Sequence, residues 1–183
     1  RAYEAAQALL QDAELDIQGV TADGSACVAT SDTDVCRPEN AGTTVWFPTE
    51  DKEFGIQLVP TLSAAATSEY CLKGICLKRT GKQDFWNDAT TLGKMQTQAA
   101  RYGQYTGAVY GGESGSTAAG IDPILKDRSE GKGGWYWVEV LPYDPNAGNT
   151  GLITNGSTAM ALSLVPNVAF RITAMAMGLK KNT

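Results

Sequence analysis

The first eighteen residues, RAYEAAQALLQDAELDIQ, form an amphipathic stretch of helical period, and a helix of this kind obliges the rest of the chain to supply a surface that covers it. At about 100° per residue, Tyr3, Ala6, Leu9, Leu10, Ala13 and Ile17 share one sector, and the steps of three and four along it are those of a buried stripe. A sheet or a second helix is expected to pack there. Glu4, Gln7, Gln11, Glu14 and Gln18 make a polar sector, while Ala5, Ala8 and Leu15 lie beyond it and are candidates for contact with a partner. The start offers no Ser, Thr, Asp or Asn to cap the first amides, and Arg1 sets a cation at the positive end of the helix dipole. The helix is therefore expected to continue upstream of Arg1. Gly19 is the expected stop at its other end.

A chain of 183 residues is long enough for a single domain with a sizeable core, expected to comprise the helix at 1–18 and a head at 19–183. With 43 % hydrophobic and 19 % charged residues its make-up is that of an ordinary soluble globular domain. A net charge of -5, with no run of Lys or Arg interleaved with aromatics, argues against a nucleic-acid partner. No window approaches the apolar length of a membrane span, so any span or signal peptide is expected upstream of Arg1.

The four cysteines fall into two close pairs, Cys27 with Cys36 and Cys71 with Cys76. Three disulfide connectivities are possible, and the two local bridges are favoured. Zinc on four thiolates would want CxxC-type spacing rather than CX8C and CX4C, and the chain has no His to complete a mixed site. Bridged cysteines imply an oxidising compartment.

Along the chain, residues 20–40 are rich in Gly, Asp and Ser and read as a surface loop around the first pair. TTVWF at 43–47 and the alternation of Phe54, Ile56 and Leu58 predict short or edge strands ended by Pro48 and Pro60. EYCL and ICLK predict a tight hairpin turning at Lys73 and Gly74. A second, shorter helix is expected from Asp84, its candidate cap, through Phe85, Ala89, Leu92, Met95 and Ala99. Residues 103–132 read as a long Gly- and Ser-rich loop. GGWYWVEVLPY is the strongest strand signal, with Tyr136, Val138 and Val140 on one face and Trp135, Trp137, Glu139 and Leu141 on the other. Residues 168–177 alternate in the same way and predict a long strand beside it. One long helix followed by antiparallel strands makes an α+β domain.

Catalytic chemistry finds little support. Without His the ordinary Ser and Cys triads lose their base. Asp32 with Asp34, and Asp84 with Asp88, are paired carboxylates that suit calcium or acid–base work, yet loop solubility and helix capping explain them equally, and neither follows an EF-hand pattern. Ser129 and Lys132 match SxxK, but they follow rather than precede the approximations to SDN at Ser31 and KTG at Arg79, and they lie in a Gly-rich loop. Ser114 lacks the second Gly of GxSxG. No catalytic, metal or cofactor residue is assigned. Trp135 and Trp137 share a face and are candidates for a partner-contacting aromatic surface.

The opening residues Arg1, YEAAQALL from Tyr3 and Asp12-Ala13-Glu14, the strand GGWYWVEVL, and Phe170-Arg171-Ile172-Thr173-Ala174 with Gly178 together resemble PilX-type minor pilins of type IV pili. The resemblance covers about a third of the chain, and a Cys pair near Cys71 and Cys76 fits it. It implies a type IV pilin-like fold, a long N-terminal helix packed on an antiparallel sheet, with a membrane anchor upstream and a further strand after the Arg-Ile-Thr strand. It also implies a non-enzymatic subunit without cofactors, carried in the inner membrane and periplasm before assembly and at the pilus tip afterwards. Its implied partners are other minor pilins, the major pilin, the inner-membrane assembly machinery and the large pilus-tip adhesin. The alternative is a secreted binding module that uses Trp135, Trp137 and the 103–132 loop for a glycan or host protein.

Overall fold

A computed structural model describes residues 1–28, 35–37, 45–64, 69–109, 122–142 and 166–180. Helix α1 spans Ala2–Gln18 without a side-chain cap at its start. It ends as the sequence predicts. Gly19 adopts the left-handed conformation at φ 65°, its N–H bonds the Asp16 carbonyl, and the Val20 N–H reaches the Leu15 carbonyl at 3.1 Å, the two bonds of a Schellman motif.

The helix lies on one face of a four-stranded sheet, ordered β1-β2-β3-β4 among the described residues. Strands β1 (Cys71–Leu72) and β2 (Ile75–Leu77) form the expected hairpin, with Lys73 at φ 50° and Gly74 at φ 83° in the turn. Strands β3 (Gly134–Pro142) and β4 (Val168–Ala176) pair antiparallel from Gly134↔Ala176 to Pro142↔Val168. The sheet is nevertheless mixed rather than antiparallel, because β2 runs parallel to β3 with Ile75 beside Val138. A parallel pair needs a long crossover, and residues 78–133 supply it.

The first part of that crossover, residues 84–99, covers the second face of the sheet, while Ala100, Ile124 and Leu125 pack in the main core with α1. Asp84 opens only a 3-10 turn at Phe85–Asn87, and the capping falls to Asp88, whose carboxylate accepts the Thr91 N–H at 2.7 Å ahead of α4 (Ala89–Thr97). Phe85 and Met95 pack with Trp135, Trp137 and the Cys71–Cys76 pair, and the Trp137 indole N–H donates to the Met95 carbonyl at 2.8 Å. On the other face, Tyr136, Val138 and Val140 join Ala5, Leu9 and Ala13 of α1 in the main core. Strand β3 is thus covered on both sides, which is why every residue from Gly134 to Val140 is buried.

Two expected strands are not seen among the described residues. Phe54, Ile56 and Leu58 belong to a helical run made of α2 (Asp51–Glu53), a π turn (Phe54–Leu58) and α3 (Val59–Ser63). Glu50 and Glu53 close a capping box at its start. The inward positions are Leu58 and Leu62 with Phe54 beside them, four residues apart, while Ile56 is exposed. Pro60 brings no N–H, and the wide turn before it is closed by Val59 N–H to the Phe54 carbonyl. Val45 and Phe47 are buried in irregular chain, Phe47 meeting Phe170 edge-on at 5.6 Å; Thr43 and Thr44 lie outside the described residues. The 103–132 stretch also holds a short helix, α5 (Pro123–Lys126), capped by Asp122.

Candidate functional site

Helix α1 is rotated by roughly a quarter turn from the orientation its apolar pattern implies. Its buried residues are Ala5, Leu9, Asp12, Ala13 and Asp16. Of the expected stripe, Leu9 and Ala13 are fully buried and Ala6 and Ile17 half-buried, but Tyr3 is 72 % exposed and Leu10 is also on the outside. The expected partner-contact set shifts correspondingly. Ala5 is wholly inside, Ala8 packs against the core, and Leu15 is half-buried. Small residues allow the close approach: a Cβ on Gly134 would stand 2.6 Å from Leu9 Cδ1.

The rotation brings two carboxylates, one helical turn apart, into the interior. Asp16 receives a bidentate pair from Arg37, Nε to Oδ1 and Nη2 to Oδ2, both at 2.8 Å. The Tyr136 hydroxyl donates to the same Oδ2 at 2.8 Å. Arg37 Nη2 also reaches the Lys73 carbonyl at 2.9 Å, and its guanidinium carbon lies 3.6 Å from the centre of the Tyr105 ring. The exposed fraction of the two charged side chains is 5 % and 2 %. Burial alone would weaken the Arg37 proton's hold, but the Asp16 carboxylate raises it further still. Burial, reinforced by the Asp16 carboxylate, pushes the Tyr136 hydroxyl well above its ordinary range.

Asp12 anchors a different segment. Its carboxylate accepts the Gly103 N–H at 2.7 Å and the Thr106 hydroxyl, tying the 103–106 turn to α1. Burial raises its pKa above the ordinary 3.8; the bonds from Thr106 and Gly103 oppose that rise and Asp16 adds to it. The apolar pattern of the sequence assigns no role to Asp12, Asp16 or Arg37. The available signal was the placement of two aspartates, four apart, beside Leu9 and Ala13 on a helix that has other polar positions for water.

Both favoured disulfides are present, Cys27–Cys36 and Cys71–Cys76. Trp135 and Trp137 do not form a surface: they are 2 % and 1 % exposed, held under α4 and the second bridge. The two share a face, as the alternation predicts, and the crossover covers it. Among the described residues no three metal-ligating side chains converge. Asp84 accepts from the Asn87 amide at 2.9 Å and Asp88 caps α4, so each carboxylate serves the local backbone or its neighbour; Asp32 and Asp34 lie outside the described residues. Ser129 and Lys132 occupy an exposed turn, and Ser31 and Ser114 lie outside the described residues. The Arg79 guanidinium pairs with Glu69, and the Arg79 backbone N–H donates to Glu139, which itself accepts from Arg171 at 2.6 and 2.7 Å.

Among the described residues, open clefts lie at the two ends of α1. One, of about 520 Å³, lies at the C-terminal end of α1 between Ile17, Cys27, Arg37 and Trp46. The other, of about 480 Å³, lies at its opposite end between Ala2, Ile124 and Leu179. No described helix is long and apolar enough to cross a membrane. Comparison with protein-family models, with curated proteins and with solved structures finds no match.

Proposed function

We propose that the chain is the head of a PilX-type minor pilin, a non-enzymatic structural subunit that joins other minor pilins in priming type IV pilus assembly and sits at the pilus tip. The observation that carries this reading is the docking of α1 along β3 and β4, with Ala5, Leu9 and Ala13 against Val138 and Val140 in one core. The two segments that resemble the family's strands, GGWYWVEVL and FRITA, are neighbours in one ladder, with Glu139 opposite Arg171. The exposed side of α1, carrying Tyr3, Gln7, Leu10 and Glu14, is then the side available to other subunits. The major pilin, the inner-membrane assembly machinery and the tip adhesin are the remaining proposed partners, and the route runs from inner membrane and periplasm to the cell exterior.

The test is association with candidate minor pilins, followed by size exclusion and cross-linking. Stable co-elution that is weakened by Tyr3→Glu and Leu10→Glu, with melting unchanged, supports the reading. No association with any minor pilin of the same organism overturns it.

A further inference from the structure

We propose that Trp86 is the stacking platform of a saccharide site: the exposed indole takes the flat C–H face of a pyranose ring, and Asp84 and Asn87 beside it bond the ring's hydroxyls. The site lies on the side of the sheet away from α1, outside the face of Trp135 and Trp137, and it stands independently of the assembly reading.

Trp86 is 47 % exposed, although an indole ordinarily has most of its surface covered. The exposed ring is nevertheless firmly held. It meets Phe85 edge-on at 5.3 Å, and Phe85 meets Trp137 edge-on at 5.0 Å, so three rings in series fix the surface indole to a buried one. The turn that carries it is closed by the Asn87 N–H to the Asp84 carbonyl at 3.0 Å and the Asp88 N–H to the Phe85 carbonyl at 3.2 Å. Just before the turn, the Gln83 side-chain amide donates to the Arg79 and Gly81 carbonyls at 3.0 and 3.2 Å. An indole fixed in this way gives up little freedom when a ligand stacks on it.

The surroundings of the ring select the ligand. Residues 81–84 and 87–90 are all exposed, and they are small, polar or charged. The centre of a protein interface is depleted of charge and sealed by further contacts, whereas this indole has Lys82, Asp84 and Asp88 close to it along the chain. One apolar plane bordered by hydrogen-bonding groups suits a sugar, which offers a face of C–H bonds and an edge of hydroxyls. With three residues per turn, Asp84 and Asn87 share the edge next to the one that carries Trp86, and they bond each other at 2.9 Å. That bond uses one carboxylate oxygen and one amide hydrogen. The other carboxylate oxygen, the amide oxygen and the second amide hydrogen remain for neighbouring hydroxyls. The Asn87 amide also holds the Asp84 carboxyl below its ordinary 3.8, which keeps it an ionised acceptor at neutral pH.

The test is a titration of the whole 183-residue chain with the β-1,4-linked tetramers of glucose and of N-acetylglucosamine, read from the indole N–H signals of its four tryptophans. The Trp86 signal is expected to shift and saturate with a dissociation constant on the order of 1 mM, while those of buried Trp135 and Trp137 stay in place. Broadening of the sugar's own signals gives the affinity of variants. Trp86→Ala is expected to weaken it by about tenfold or more and Asn87→Ala by about threefold, with the Trp135 and Trp137 signals unmoved in both as the mark of an intact core. No shift at Trp86 with either tetramer up to about 20 mM overturns the proposal. Undiminished binding by Trp86→Ala, or a response at Trp46 in place of Trp86, overturns it as well. So does a Trp86 signal that answers to a minor pilin and to neither sugar, by making the indole a protein contact.

Discussion

Tyr136 and Asp16 stand 120 positions apart in the chain, yet the hydroxyl of one donates to the carboxylate of the other at 2.8 Å. Through this contact the central strand recognises a particular turn of α1, which apolar burial alone does not specify. Arg37 completes the site from a third segment.

Arg37→Ala leaves the Asp16 charge buried with its counter-ion gone, and a cost of about 3 to 5 kcal/mol is expected from urea unfolding. Tyr136→Phe removes one bond to a charged acceptor and keeps the ring in the core, for about 1.5 to 3 kcal/mol. A larger loss for the tyrosine than for the arginine would contradict this ranking.

The orientation of α1 is tested by a neighbouring pair. Leu9→Ala empties a fully buried site and should cost about 2 to 5 kcal/mol. Leu10→Ala, at a position on the exposed side, should stay within about 0.5 kcal/mol of the parent. Equal losses, measured by thermal or urea melts, would restore the stripe that runs through Tyr3 and Leu10.

Two glycines should differ in the same assay. A Cβ on Gly74 would meet Ala100 Cβ at 2.6 Å and Ala100 N at 2.9 Å, on a backbone already at φ 83°. Gly74→Ala is therefore expected to cost about 1 to 3 kcal/mol or more. At Gly134 the obstacle is the far end of the Leu9 side chain, which can turn aside, so Gly134→Ala should be the milder change.

Asp12 makes a prediction in pH. Its carboxyl holds a proton more tightly folded than at the ordinary value of 3.8, so between that value and its raised one the native state binds more protons than the unfolded state. Its contribution to stability is thus full below the unfolded value and declines as pH rises through the folded one. Relative to Asp12→Asn, the parent chain should gain stability as pH falls from neutrality towards 4, read from urea midpoints at a series of pH values. An advantage that shrinks on acidification would reverse the sign and refute the assignment.

Strands β3 and β4 were legible because alternation is a local signal, and covering β3 on both faces did not change which residues share a side. The hairpin and the Gly19 stop were legible for the same reason: turn chemistry sits in adjacent residues. The rotation of α1 was not, since it depends on partners for Asp12 and Asp16 at positions 37, 103, 106 and 136. At residues 54–62 a period of two competed with a period of four, and the capping box before it tipped the choice. The parallel placement of β2 beside β3 is a long-range pairing that no short window contains. The same crossover put Trp135 and Trp137 in the interior, and with them went the aromatic surface that the binding-module reading required.

The position of α1 also sets a timetable. The helix is the first element of the chain, yet it packs most extensively against β4, the last strand described. Its apolar side therefore has no strand of the central pair to cover it until β3 emerges, and the main core is completed when β4 arrives to pair with β3. Until β3 emerges the hairpin, whose pairing is complete within a few residues, is the part of the described sheet that can form.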